Sequence, residues 1–187
     1  MKQEDFKLTK VKVNGGVVEV NFTQRISNGV LEQFVETTER RLVAPHPDMI
    51  NSLQMLNTFV ARATHLDALD IQRGFAENQG KATKETKLII EQMTQRQSEI
   101  LDSIDVRSVS IKGEGDKTAI VISSVLSCKG QCTALNTPRI VLGRNVYGCE
   151  VAISESIDEL SSEVYQYLYA GKQAQMQMEF NEAAETD

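Results

Sequence analysis

The stretch FKLTKVKVNGGVVEVNFT, Phe6 to Thr23, decides the fold class. Val18, Val20 and Phe22 alternate with Glu19, Asn21 and Thr23, the period of a strand with one buried face. Asn14-Gly15-Gly16 accepts the positive φ values that a tight hairpin turn requires. On the first arm Phe6 and Leu8 are one step out of phase with Val11 and Val13, which predicts a bulge near Lys10.

Working outward, a second β region runs from Val106 to Ile140. Val109 and Ile111 alternate with Ser108, Ser110 and Lys112, and Gly113-Glu114-Gly115-Asp116 turns the chain. Ala119 to Val125 is continuously apolar or small, the pattern of a strand covered on both faces. Lys129-Gly130 is a further turn, Gln131 to Thr137 a third strand, and Pro138 ends it or marks a sheet edge.

The helical signals lie between and after these regions. Pro45-His46-Pro47-Asp48 suits a helix start, with Asp48 placed to accept from first-turn N–H groups. Met49, Ile50, Leu53, Leu56, Phe59 and Val60 recur at helical spacing, predicting a helix from Asp48 to Leu66. Ile89, Met93, Ile100 and Ile104 share one side of a second helix over Lys87 to Ile104. Ser156 and Glu159 form a capping box that opens a last helix. Its stripe is Ile157, Leu160, Val164 and Leu168, and Gly171 is its C-cap.

Val30 to Val43 fits a helix face at first and extended structure after Thr37. Asp67 to Thr86 reads as a loop insertion. The expectation is an α+β fold: a mainly antiparallel sheet from two hairpin regions, with helices packed on one face. One domain spans 1–172, and 173–187 is a flexible acidic tail.

The chain has 187 residues and a net charge of −6, enough for one sizeable core. The charge is uneven. Glu150 to Asp187 holds nine acids against one base, Lys172, whereas the residues before it hold 19 bases against 17 acids. A slightly basic body with an acidic end suits an anionic partner better than the total suggests, because attraction follows local potential. No apolar run approaches the roughly 18–20 residues that cross a bilayer. The charged start, Met1-Lys2-Gln3-Glu4-Asp5, does not read as a secretory signal. Cys128, Cys132 and Cys149 are few and odd in number, which suggests free thiols in a reducing compartment. A cytoplasmic setting is expected, with no membrane association.

Few constellations suggest chemistry. Zinc asks for four ligands. Three cysteines and two histidines, His46 and His65, do not supply a spaced set. A two-residue turn at Lys129-Gly130 would point Cys128 and Cys132 to opposite sheet faces. On a single helix His46 and His65 would stand about 28 Å apart, and neither belongs to a nucleophile pattern. Gly113-Glu114-Gly115 lacks the Lys-Ser/Thr of a phosphate loop. Asp102, Asp105, Glu114 and Asp116 decorate a helix end and a turn. The expectation is a non-enzymatic protein with no cofactor and no metal.

The bases carry the functional reading. Lys10, Lys12, Arg107, Lys112, Lys117, Arg139 and Arg144 lie on or beside the strands and suit contact with phosphates. Tyr147 is the candidate to stack on a base, with Phe6, Phe22 and Phe34 as further aromatics. Single-stranded DNA is the leading partner. The alternative is a structural or regulatory protein-interaction module that binds no nucleic acid, such as a virion accessory or a host-defence inhibitor. The acidic tail could dock on a protein partner or compete for the chain's own bases, and self-association into a homo-oligomer is open.

Three segments add a resemblance. Ala44-Pro45-His46-Pro47-Asp48-Met49, Leu135-Asn136-Thr137-Pro138-Arg139-Ile140 and Glu163-Val164-Tyr165-Gln166-Tyr167-Leu168 together resemble a group of small proteins from tailed-phage and prophage genomes. The resemblance implies a viral or mobile-element setting within a bacterial host cell and brings no catalytic residues with it. The basic body and acidic end are also similar in layout to phage single-stranded DNA-binding proteins.

Overall fold

A computed structural model describes residues 3–27, 32–66, 84–128, 130–144 and 146–172. The first arm of the opening hairpin is β1 (Phe6–Asn14) and the second is β2 (Val17–Ser27). They pair antiparallel with Asn14 opposite Val17, so the turn is Gly15-Gly16, both at positive φ. The register slips between Leu8 and Lys10, which places the expected bulge at Thr9. The chain continues into β3 (Glu32–Arg41), which runs antiparallel beside β2 along its whole length. The mixed signal after Val30 thus resolves as strand from Glu32, five residues earlier than the sequence pattern suggested. Cross-strand pairing with β2 outweighs the local helical spacing.

The second β region supplies β4 (Ile104–Lys112), β5 (Ala119–Cys128), β6 (Gln131–Asn136) and the short β7 (Ile140–Val141). The sheet order is β3-β2-β1-β4-β5-β6, with β7 also paired to β5. β6 and β7 therefore share one side of β5, separated by Thr137 to Arg139. Thr137 bridges the gap: its backbone N–H donates to the Ile122 carbonyl at 2.9 Å, and its Oγ1 accepts from the Ile122 N–H at 3.0 Å. The side chain supplies an acceptor at the point where Pro138 takes the main chain out of the ladder.

The helices are α1 (Pro47–Gln54), α2 (Asn57–Ala63), α3 (Lys84–Asp102) and α4 (Glu150–Tyr169). The single helix expected from Asp48 to Leu66 is broken at Met55 and Leu56. On either side of the break a side-chain amide is tied to neighbouring backbone. Gln54 bonds both the N–H and the carbonyl of Val106, and Asn57 donates to the Leu101 carbonyl. These tertiary bonds flank the break, and hydrophobic spacing does not register them. The α1 cap is also not the expected one: His46 Nδ1 accepts from the Asp48 N–H at 3.2 Å. The second helix starts at Lys84 and stops at Asp102, and Ile104 opens β4. Of the expected loop at 67–86, residues 67–83 lie outside the described part and the last three are helical.

The last helix begins at Glu150, six residues before the Ser156 capping box. Glu150 is buried, and its carboxylate accepts from the N–H groups of Tyr147 and Cys149, both at 2.9 Å. That satisfies donors just before the helix start. At the other end, Arg41 of β3 donates to the carbonyls of Tyr167 and Leu168 at 3.1 and 2.8 Å. A cation on the last carbonyls of a helix meets its negative dipole end.

One core results. Leu8, Val11, Val18, Val20, Phe22, Val109, Ile120 and Ile122 of the sheet meet Met49, Leu53, Val60, Ile153, Leu160, Val164 and Tyr167 of the helices, with Leu56 from the break between α1 and α2. β5 is not covered on both faces as its apolar run suggested. Ile120 and Ile122 are buried, whereas Val121 and Val125 are half-exposed on the other side. Their β4 partners across the ladder are Ser110 and Asp105, so this side of β5 is an open sheet face. Among the described residues, no helix is long and apolar enough to cross a membrane.

Candidate nucleic-acid interface

Alternation along β1 buries Leu8 and Val11 and turns Lys7, Lys10 and Lys12 to the opposite, open face. Register extends this face across the sheet. Lys10 lies opposite Asn21 of β2 and Ser110 of β4, and Lys12 opposite Glu19 and Ser108. Lys112 follows Ser110 by two residues, so Lys12, Lys10 and Lys112 form one line along the β1–β4 seam. Strand rise spaces successive members by roughly 7 Å. Beyond the seam, Thr38 stands opposite Asn21 and Phe34 opposite Arg25.

A hollow lies on this face beside the Thr9 bulge. Its volume is about 670 Å³, and it is lined by strand and turn residues only, among them Lys7, Lys10, Lys112, Asn21, Thr38 and Phe34. Phe34 is 71% exposed. The Asn21 Oδ1 atom is buried and meets no hydrogen-bond donor.

Two of the lysines are engaged. Lys7 Nζ lies 2.7 Å from Glu114 Oε1, and Lys10 Nζ lies 2.7 Å from Glu19 Oε1. The hydrogen bond and charge of Lys10 hold the Glu19 carboxyl below its ordinary range, and Lys7 does the same to Glu114. Lys12 and Lys112 make no ion pair or side-chain hydrogen bond among the described residues, although the charge of Lys12, opposite Glu19, also helps to lower the Glu19 carboxyl. Arg107 sits at a second register slip, on β4, and pairs with Asp105. With Glu36 and Glu114 among the lining residues, three lysines against two acids leave the hollow with a formal charge of +1.

The eight residues singled out from the sequence separate into three places. Lys10, Lys12, Arg107 and Lys112 belong to the two strands of the seam. Lys117, Arg139 and Arg144 meet in a second hollow, beyond the β4–β5 turn, of about 500 Å³. The turn joins the two, giving Lys112 to Glu114 to the first and Asp116 and Lys117 to the second. Tyr147 is in neither. It is half-buried against the core just before α4, with its N–H bound to Glu150. The aromatic that the structure places on the open face is Phe34. Its place follows from the β2–β3 register, and its own neighbours in sequence read equally well as helix. Asn21, Thr38 and Ser110 carry no signal of their own in the sequence, and only the sheet order gathers them.

Cys128 pairs with Gln131 and Cys132 with Ser127, so the turn has two residues and the two thiols fall on opposite faces. Among the described residues no three of His, Cys, Asp and Glu are placed to share a metal ion. No protein-family model matches the chain, and no curated protein or solved structure gives a significant match.

Proposed function

We propose that the protein is a non-enzymatic nucleic-acid-binding module that holds single-stranded DNA on the open sheet face. The observation that carries this reading is the seam of Lys12, Lys10 and Lys112 beside a hollow with an exposed Phe34. Cations in line suit successive phosphates of an extended strand, and an aromatic beside them suits a base with no sequence preference. Hydroxyl and amide groups of Ser108, Ser110, Asn21 and Thr38 supply neutral hydrogen bonds. A phage or prophage setting belongs to the same proposal and rests on the three short segments quoted above.

The test is fluorescence anisotropy of a labelled oligothymidylate across a salt series. Binding is expected at micromolar protein in low salt. Replacing Lys10, Lys12 and Lys112 together by Gln should lower the slope of log affinity against log salt by about 2, at roughly 0.7 per phosphate contact. Phe34→Ala should weaken binding with the slope unchanged, by about 1–3 kcal/mol if one base stacks there. No binding at micromolar protein in low salt sinks the proposal.

A protein-interaction module is the second reading, favoured by β3. Among the described residues that strand is paired only on its β2 side. It and its flank expose Phe34, Val35, Leu42 and Val43, with Leu42 78% exposed. Free edges of this kind accept a further strand. Light scattering that finds a stable oligomer, together with no DNA affinity, would select this reading.

A further inference from the structure

We infer that the hollow beyond the β4–β5 turn is a discrete phosphate-binding site, formed by Lys117, Arg139 and Arg144. The three cations come from three separate segments: the 3₁₀ turn Gly115–Lys117, the link between β6 and β7, and the 3₁₀ turn Leu142–Arg144. All three side chains are exposed, and none has an ion-pair or side-chain hydrogen-bond partner among the described residues. Asp116 is the one carboxylate in the lining, against three cations. Elsewhere on this surface Lys7, Lys10, Arg107 and Lys172 each have a carboxylate at hydrogen-bond distance. Here the charges are gathered and left uncompensated, which an oxyanion would relieve.

The backbone builds the site. The Leu142 N–H donates to the Thr118 carbonyl at 3.0 Å, and Val141 pairs with Ala119. Gly143 lies against the other turn: a Cβ there would come 2.5 Å from the Asp116 carbonyl oxygen and 2.8 Å from Asp116 Cβ. Only glycine allows this approach, and the approach brings Arg144 beside Lys117. Arg139 is set by the neighbouring Thr137 anchor on Ile122. The backbone that carries the three cations is thus held in place before any ligand arrives. Val141 is the one large apolar residue in the lining, so the hollow has phosphate donors and little to hold a base. Its volume of about 500 Å³ takes more than one phosphate group. The ligand class is a phosphate chain or a terminal phosphate, free or at the 5′ end of a nucleic acid strand.

This site does not depend on the sheet-face reading, and calorimetry on the full chain separates the two. Inorganic triphosphate is titrated first, followed by oligothymidylates carrying either a 5′-phosphate or a 5′-hydroxyl. The expected result is triphosphate binding that Arg139→Gln with Arg144→Gln weakens about tenfold or more. The Gln triple variant of Lys10, Lys12 and Lys112 should leave it unchanged. Tenfold tighter binding of the 5′-phosphorylated strand, lost in the arginine double variant, identifies a strand end as the source. Equal binding of both strands assigns the site to free phosphates. Gly143→Ala keeps every cation and should weaken triphosphate as the double variant does. Since both arginines are exposed, their substitution leaves the fold intact. Absence of triphosphate binding at millimolar concentration overturns the inference, as does binding that the double variant retains.

Discussion

Thr137→Val removes one oxygen and almost no volume, which makes it a clean probe of the β6–β7 junction. Thr137 is buried, and its Oγ1 is the acceptor for the Ile122 N–H in the middle of β5. Valine keeps the β-branched shape and leaves that amide without an acceptor. A buried unsatisfied donor costs about 1–3 kcal/mol. For a chain of this size each kcal/mol moves the melting midpoint by roughly 2–4 °C, so the expected fall is on the order of 2–12 °C. Amide hydrogen exchange localises the effect. Ile122 should lose protection in Thr137→Val and keep it in Thr137→Ser, which retains the hydroxyl. Triphosphate affinity should fall with it, since Arg139 hangs on the same anchor. Unchanged Ile122 protection in Thr137→Val would refute the reasoning, because the hydroxyl would then not be the acceptor that closes the junction.

Glu19→Gln should tighten single-stranded DNA binding while leaving its salt slope nearly unchanged, because Glu19 competes for Lys10 at 2.7 Å without adding a phosphate contact; unchanged affinity removes Lys10 from the interface. Lys172 bonds both Asp48 and Glu163, and its hydrogen bond is the main cause that holds the Asp48 carboxyl below its ordinary range. A depressed carboxyl stabilises the fold above its ordinary pKa, and that contribution is lost as pH falls through the lowered value. In Lys172→Met the Asp48 titration followed by NMR should therefore move up in pH, with a shallower acid-side loss of melting temperature. Deleting Glu179 to Asp187 removes four acids and should tighten DNA binding most at low salt, where screening is weakest; equal affinity at low ionic strength would show that this segment is no competitor.

What was legible in the sequence was local. The alternation of Val18, Val20 and Phe22, the Gly15-Gly16 turn, the bulge beside Lys10 and the α+β class all arise from interactions between residues a few positions apart. A strand's period and a turn's φ values belong to the segment itself. The helix breaks were not legible, because Gln54 and Asn57 are held by backbone some 44 to 52 positions away. The start of α4 was missed for a different reason. Ser156 and Glu159 have the spacing of a cap, but the N–H groups that needed an acceptor were those of Tyr147 and Cys149, and buried Glu150 reached them. The bases of the candidate sites were named from sequence as one scattered set. Only the sheet order and the approach of Gly143 to Asp116 divide them into a lysine seam and an arginine-rich hollow. Charge is a property of a residue, but convergence of charges is decided by which strands become neighbours. That choice rests on burial of the shared core and on hydrogen bonds between distant segments, and no periodicity within one segment encodes it.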